Sequence, residues 1–168
     1  MITEKMLDAF NGQINNELYS AYLYASMEAW FEKSSLNGFA NWMNKQTKEE
    51  LKHARKFYDY IIERDGIIKL TNIKTPPCNW QNIRDIYEKT YEHEKFITSE
   101  INRIYHIAKE EKDIASQVFL QWFVSEQVAE EDSVRKILDR LKLTECTGDA
   151  VFHLDTEFSK IMNFKNKK

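Results

Sequence analysis

Turn-forming residues are scarce in this chain. Among 168 residues there are four glycines and two prolines. A β-rich fold of this length needs many tight turns, and turns draw heavily on those two residues. The scarcity therefore argues against a β-sandwich or barrel. Cysteine is equally sparse. Cys78 and Cys146 are far apart and form no C-x-x-C pair, which excludes a disulfide-stapled scaffold and a cysteine-based zinc site. Free thiols in a reducing compartment are the expected state. No apolar run is long enough to span a bilayer. The N-terminal Met1-Ile2-Thr3-Glu4-Lys5-Met6 mixes acid and base and does not read as a secretory signal, so the expected location is the cytoplasm. Positive charge is also not in excess: 24 Lys and Arg against 27 Asp and Glu give a net charge of −3. That leaves no electrostatic case for nucleic acid or an anionic membrane as partner.

What the chain does have suits long helices. Charged residues make up 30% of it, and Glu, Lys, Leu, Ile and Ala dominate. Leu7, Phe10, Ile14, Glu17, Ala21, Tyr24 and Glu28 recur at steps of three and four, predicting a helix over about 4–33 with Thr3 as its N-cap. Lys33–Gly38 interrupts it. A second line, Phe39, Met43, Gln46, Glu50, His53, Phe57 and Tyr60, runs to about Arg64. Asp65-Gly66 is the stop signal there, with Gly66 expected in the left-handed conformation. Residues 67–80 carry no helical period and include Pro76-Pro77. As an extended crossover they reach about 45 Å, the length of a 28-residue helix, so the helices on either side can run parallel. A third helix is predicted over about 81–110. The fourth starts after Asp113 and ends near Leu143. A short fifth covers about 149–162, with Val151, Leu154, Phe158 and Ile161 on one side, and a frayed basic tail follows. The expected fold is all-α: a four-helix bundle (about 4–143) with a long crossover and a small C-terminal helix, forming one domain over 1–168.

The predicted core lines carry an anomaly. Glu17, Glu50, Glu94 and Glu130 lie on them, with His53 and Gln127, and no lysine or arginine does. Glu17 to Glu50 is 33 residues, as is Glu94 to Gln127. Glu50 to His53 is three, as is Gln127 to Glu130. The second set is the first displaced by 77 residues. In an antiparallel hairpin, residues equidistant from the turn sit level. The midpoints, 33.5 and 110.5, fall at the two predicted breaks, so each hairpin brings its own pair to one height. A single Glu-x-x-His on a helix is common on solvated surfaces. Four inward carboxylates at matched heights are not, because an unpaired buried carboxylate costs several kcal/mol. Two divalent cations would neutralise them. Di-metal carboxylate bundles use one Glu from each of two helices and Glu-x-x-His from the other two. In this chain the first site is Glu17, Glu50 and His53. The second is Glu50 as a bridge, Glu94 and Glu130, with Gln127 as a hydrogen-bonding partner. Oxygen-rich ligands with one imidazole favour iron or manganese, and zinc stays possible on affinity.

Tyr24, one turn or so beyond Glu17, and Trp122, near Gln127, read either as ordinary core or as neighbours of the site. Glu49 and Glu126 also differ by 77 and read either as solvated surface or as flanking ligands. His93, His106 and His153 fall off the core lines and read as surface residues.

The stretches Asn16-Glu17-Leu18-Tyr19-Ser20 with Tyr24, Glu49-Glu50-x-x-His53, Tyr91-x-His93-Glu94, and Leu120-Gln121-Trp122-x-Val124-Ser125-Glu126-Gln127 with Glu130 resemble the ferritin family, specifically its bacterial non-haem members, over nearly the whole chain. The resemblance implies a 24-subunit homo-oligomeric shell that oxidises Fe²⁺ with O₂ and stores ferric mineral. It implies that Glu17, Glu50, His53, Glu94, Gln127 and Glu130 form a di-iron ferroxidase centre, with Tyr24 hydrogen-bonded to it and Trp122 close by. Glu49 and Glu126 would belong to a third iron site, which in the family includes a Glu where this chain has Ala129. The fifth helix would line the four-fold axis. No haem is expected, because the position of the bacterioferritin haem-ligand methionine corresponds to Lys52. Two other readings compete: a di-metal oxidase acting on an organic substrate, and a helical interaction protein with incidental core carboxylates.

Overall fold

Thr3 opens the first helix as its side chain allows: it is extended, and its Oγ1 accepts a bond from the Met6 amide at 3.3 Å. The computed structural model describes residues 2–144 and 148–165, with side chains described to residue 160. Five helices follow one another: α1 (Glu4–Lys33), α2 (Asn37–Glu63), α3 (Ile83–Glu110), α4 (Ile114–Leu143) and α5 (Gly148–Lys165). No strand occurs among the described residues. Asn82 caps α3 through the Asp85 amide (2.9 Å), and Asp113 caps α4 through the Ser116 amide (3.1 Å). Cys146 and the 166–168 tail lie outside the described residues, as does the side chain of Ile161. Cys78 is a free, exposed thiol.

The first three helices end alike, and one end corrects the sequence reading. At Ser35, Asp65 and Lys112 the backbone turns left-handed, with φ of 58°, 56° and 55°. In each case the next residue's amide reaches back five positions: Leu36 to Phe31, Gly66 to Ile61, and Asp113 to Ala108, at 2.8–3.0 Å. This double-bonded C-terminal closure satisfies carbonyls the helix leaves unpaired. The left-handed residue before Gly66 is thus Asp65, and Gly66 does not supply the positive φ. Gly66 is needed for room instead, since a Cβ there would lie 2.8 Å from Ile61 Cγ2.

α1 packs against α2 and α3 against α4 as two hairpins, and α1 also meets α3. The crossover between α2 and α3 is fastened along α1. Asn11 Nδ2 donates to the Ile67 carbonyl (3.0 Å), and its Oδ1 accepts from the Lys69 amide (2.7 Å). Asn15 Nδ2 donates to the Asn72 carbonyl (3.1 Å), and Ser26 to that of Pro77. The strap therefore rises in the direction of α1, and α3 starts where α1 ends, parallel to α2. The apolar core divides in two. One cluster includes Tyr24, Met27, Phe31, Phe39, Met43, Tyr87 and Val134. The other includes Phe10, Ile14, Phe57, Ile97, Ile101, Leu120 and Phe123. Between them lies a layer of buried polar side chains.

α5 closes one end of the bundle. Leu154 and Phe158 enter the first cluster, and Phe158 meets Phe39 edge to face at 5.1 Å. Leu36 gives α2 no side-chain cap. Asp155 does so from α5, its Oδ1 accepting from the amides of Gly38 (2.7 Å) and Phe39 (3.0 Å). A Cβ on Gly38 would lie 1.8 Å from the Asp155 carbonyl oxygen. Asp155→Ala should therefore cost about 1 kcal/mol of stability. Gly38→Ala, which pushes α5 off α2, should cost about 1–3 kcal/mol. Thermal unfolding of each variant beside an exposed-site control checks both.

Candidate metal centre

Four helices deliver the polar layer from their middle turns, where the side chains are buried in the bundle. Glu17, Glu50, His53, Glu94, Gln127 and Glu130 are each 7% exposed or less. Glu17, Glu50 and His53 converge so that one donor atom from each lies within 4.8 Å of the others. His53 Nδ1 lies 3.1 Å from Glu50 Oε2. Gln13 donates to Glu17 Oε1 at 2.9 Å, while Glu17 Oε2 is buried with no hydrogen-bond partner. A buried oxygen without a donor, beside a second carboxylate and an imidazole, fits a cation.

Glu94, Gln127 and Glu130 lie beside this trio without joining it. Tyr24 donates its hydroxyl to Glu94 Oε1, and Gln127 Nε2 donates to Glu94 Oε2 at 3.1 Å. Gln46 donates to Glu130 Oε2 at 2.8 Å. With no positive charge between them, Glu94 and Glu130 rest on neutral donors.

The proton affinities reflect that arrangement. Burial pushes the carboxyl groups of Glu17, Glu50 and Glu94 above their ordinary value, and neighbouring carboxylates add to it. Burial, then the charge of Glu94, lifts Glu130 to about 7. Burial likewise raises the Tyr24 hydroxyl, with Glu94 second. Protons bind these carboxyl groups more readily than ordinary ones, so a cation entering here competes with protons.

The other predicted residues separate. Tyr24 is fully buried and touches the site through Glu94. Trp122 is 41% exposed, with its ring edge-on to His53 at 5.5 Å and Lys56 Nζ 3.9 Å over its face. Glu49 is paired to Lys45 at 2.5 Å, and neither it nor Glu126 enters the ligand trio. His93 departs from the surface reading: it is half-buried, 2.8 Å from Ser20 Oγ and edge-on to Tyr19 and Tyr24. Burial lowers its pKa to about 4. Its place on α3, one residue before an inward Glu94, turns it toward α1. Two site residues went unassigned from sequence, Gln13 and Gln46. Their signal was available: each lies four residues before an inward glutamate, Glu17 and Glu50.

A family profile described as a ferritin-like domain matches residues 7–144. A bacterial non-heme ferritin from Bacteroides fragilis is 41% identical over 161 residues, covering 95% of this chain and 99% of the relative. One from Campylobacter jejuni is 38% identical over the full length of both. Among solved structures, an open-pore ferritin from the archaeon Archaeoglobus fulgidus superposes with a TM-score of 0.93 at 45% identity, covering 95% of this chain and 98% of the other.

The raised carboxyl groups predict a pH dependence for the metal-free protein. A folded pKa above the unfolded value stabilises the fold below the unfolded value, and that stability is lost as pH climbs through the folded pKa. With Glu130 near 7 against an ordinary 4.5, the melting temperature of metal-free protein should fall between pH 5 and pH 8. Added divalent metal should reverse the fall at pH 8, as scanning calorimetry at the two pH values will record.

Proposed function

Because this chain belongs to the ferritin family, we propose that it is an iron-storage ferroxidase, oxidising Fe²⁺ with O₂ inside each bundle and holding the ferric product in a homo-oligomeric shell. The observation that carries this reading is the layer of four buried carboxylates and one imidazole whose hydrogen-bond donors are neutral amides and a phenol. Such a layer asks for about four positive charges, and two Fe²⁺ supply them. Iron is substrate here and leaves after oxidation.

In this reading Glu17 and His53 hold one ion and Glu94 and Glu130 the other, with Glu50 shared between them and Gln127 beside the second. Two-metal sites keep their ions about 3.5–4 Å apart, close enough for both to give an electron to one O₂. Two Fe²⁺ lose one electron each, and O₂ gains two electrons and two protons to reach the level of hydrogen peroxide. Loading supplies the protons, since the carboxyl groups must release theirs to bind metal. Gln13 orients Glu17, Gln46 orients Glu130, and Tyr24 orients Glu94, so the ligand oxygens are preset before iron arrives. Gln127, a neutral amide where a second Glu-x-x-His would place a carboxylate, makes the Glu94 side the weaker one and eases release. Glu49 and Glu126 form a third, weaker iron position, short of a carboxylate at Ala129.

We assign the shell 24 copies, with α5 at its four-fold axis, a cytoplasmic location, no haem, and one functional unit over the full chain. No described helix is long and apolar enough to cross a membrane. Glu50→Ala with His53→Ala should abolish rapid aerobic Fe²⁺ oxidation while leaving helix content intact, as stopped-flow absorbance and circular dichroism will show. An unchanged rate would sink the site assignment. Light scattering with an iron assay on the same sample separates the competing readings. A particle near 24 times 20.1 kDa holding far more than two irons per chain is expected. An organic-substrate oxidase would stay small and hold two, and an interaction protein would hold none.

A further inference from the structure

Thr98 sits one turn beyond Glu94 on α3 and departs from the habit of helical hydroxyls. Thr47 and Thr90 donate to the carbonyl four residues back, at 3.0 and 2.9 Å, which is the usual local bond. For Thr98 that carbonyl belongs to Glu94. Thr98 instead donates across the hairpin to Glu131 Oε1 on α4, at 2.5 Å. The Glu94 carbonyl is left to accept from Gln127 Nε2 at 3.3 Å, and Thr98 Oγ1, its only proton committed to Glu131, accepts from the same nitrogen at 3.4 Å. The third acceptor of that nitrogen is the Glu94 carboxylate, at 3.1 Å.

We propose that Thr98, fixed by Glu131, is a positioning residue that holds the Gln127 amide in one orientation as the second metal ion binds. The inference rests on the two-metal reading above. When an ion recruits the Glu94 carboxylate, Gln127 loses its nearest acceptor. The Glu94 carbonyl and Thr98 Oγ1 then remain, and both demand the NH₂ end. The amide oxygen is thereby the end left for the cation, which can bind only oxygen. Were the Thr98 proton free, it could donate to that oxygen and turn the amide round. Glu131, by accepting that proton, prevents this. The trio of Glu17, Glu50 and His53 has its own support in Gln13 and stands apart from the chain Glu131–Thr98–Gln127.

Anaerobic calorimetric titration of the metal-free full-length protein with Co²⁺ tests this. Wild type should take two Co²⁺ per chain, one tighter than the other. Thr98→Val keeps the shape of the side chain and removes the hydroxyl. It should weaken the second Co²⁺ about tenfold, the scale on which partners of metal ligands act, leave the first unchanged, and alter the visible band of the second ion alone. Thr98→Ser should restore both, and Thr98→Ala should repeat the loss if the valine variant folds poorly. Equal weakening of both ions, or no change in either, overturns the inference while the two-metal reading stands. A wild-type chain that takes up no Co²⁺ overturns both.

Discussion

Four carboxylates share a space almost wholly buried from solvent, and the rest of the molecule is arranged around that cost. Desolvation opposes every one of those charges, and each worsens its neighbours. Placed at the helix ends, the groups would be solvated and inert. Placed in the middle turns, between two apolar clusters that both carry aromatic rings, they are kept in a high-energy state that protons or cations relieve. The apolar clusters on either side bear the strain, because a helix anchored above and below cannot turn its glutamate out to solvent.

The supporting hydrogen bonds follow one rule. Gln13, Gln46, Gln127 and Tyr24 are neutral donors. A lysine or arginine in any of these places would satisfy the carboxylates permanently and leave no charge for a metal. Neutral donors fix the direction of the oxygens and leave their charge unmatched. Exposed ion pairs such as Arg84 with Glu88 and Lys89 with Glu92 sit on outer faces, where solvent makes them weak.

Much of this was legible in the chain itself. Helix spans, the parallel crossover and the six inward residues followed from period, turn spacing and the midpoint arithmetic, because all three are one-dimensional consequences of helix geometry. Three features were not. The choice of Asp65 over Gly66 for the left-handed position depends on which residue the closing bond encircles, a matter of one residue that composition does not resolve. His93 looked exposed by register, yet Ser20 on a neighbouring helix covers it. Such cover depends on how two helices rotate against each other. The capping of α2 by Asp155 joins positions 117 apart, and no local pattern reports it. Glu94 and Glu130 are expected as co-ligands of Glu50; among the described residues Glu17, Glu50 and His53 gather into one ligand group, and Glu94 and Glu130 are buried beside it on neutral hydrogen-bond donors.

The strap along α1 has a consequence for how the chain reaches this state. Asn11 and Asn15 tie the crossover to the first helix, so residues up to about 80 can form a strapped hairpin before the second half exists. The second hairpin then has to close on it, and that step alone brings Glu94 and Glu130 against Glu50. Joining the two hairpins is the step that gathers the buried carboxylates, and a divalent cation held among them would fasten one half of the bundle to the other.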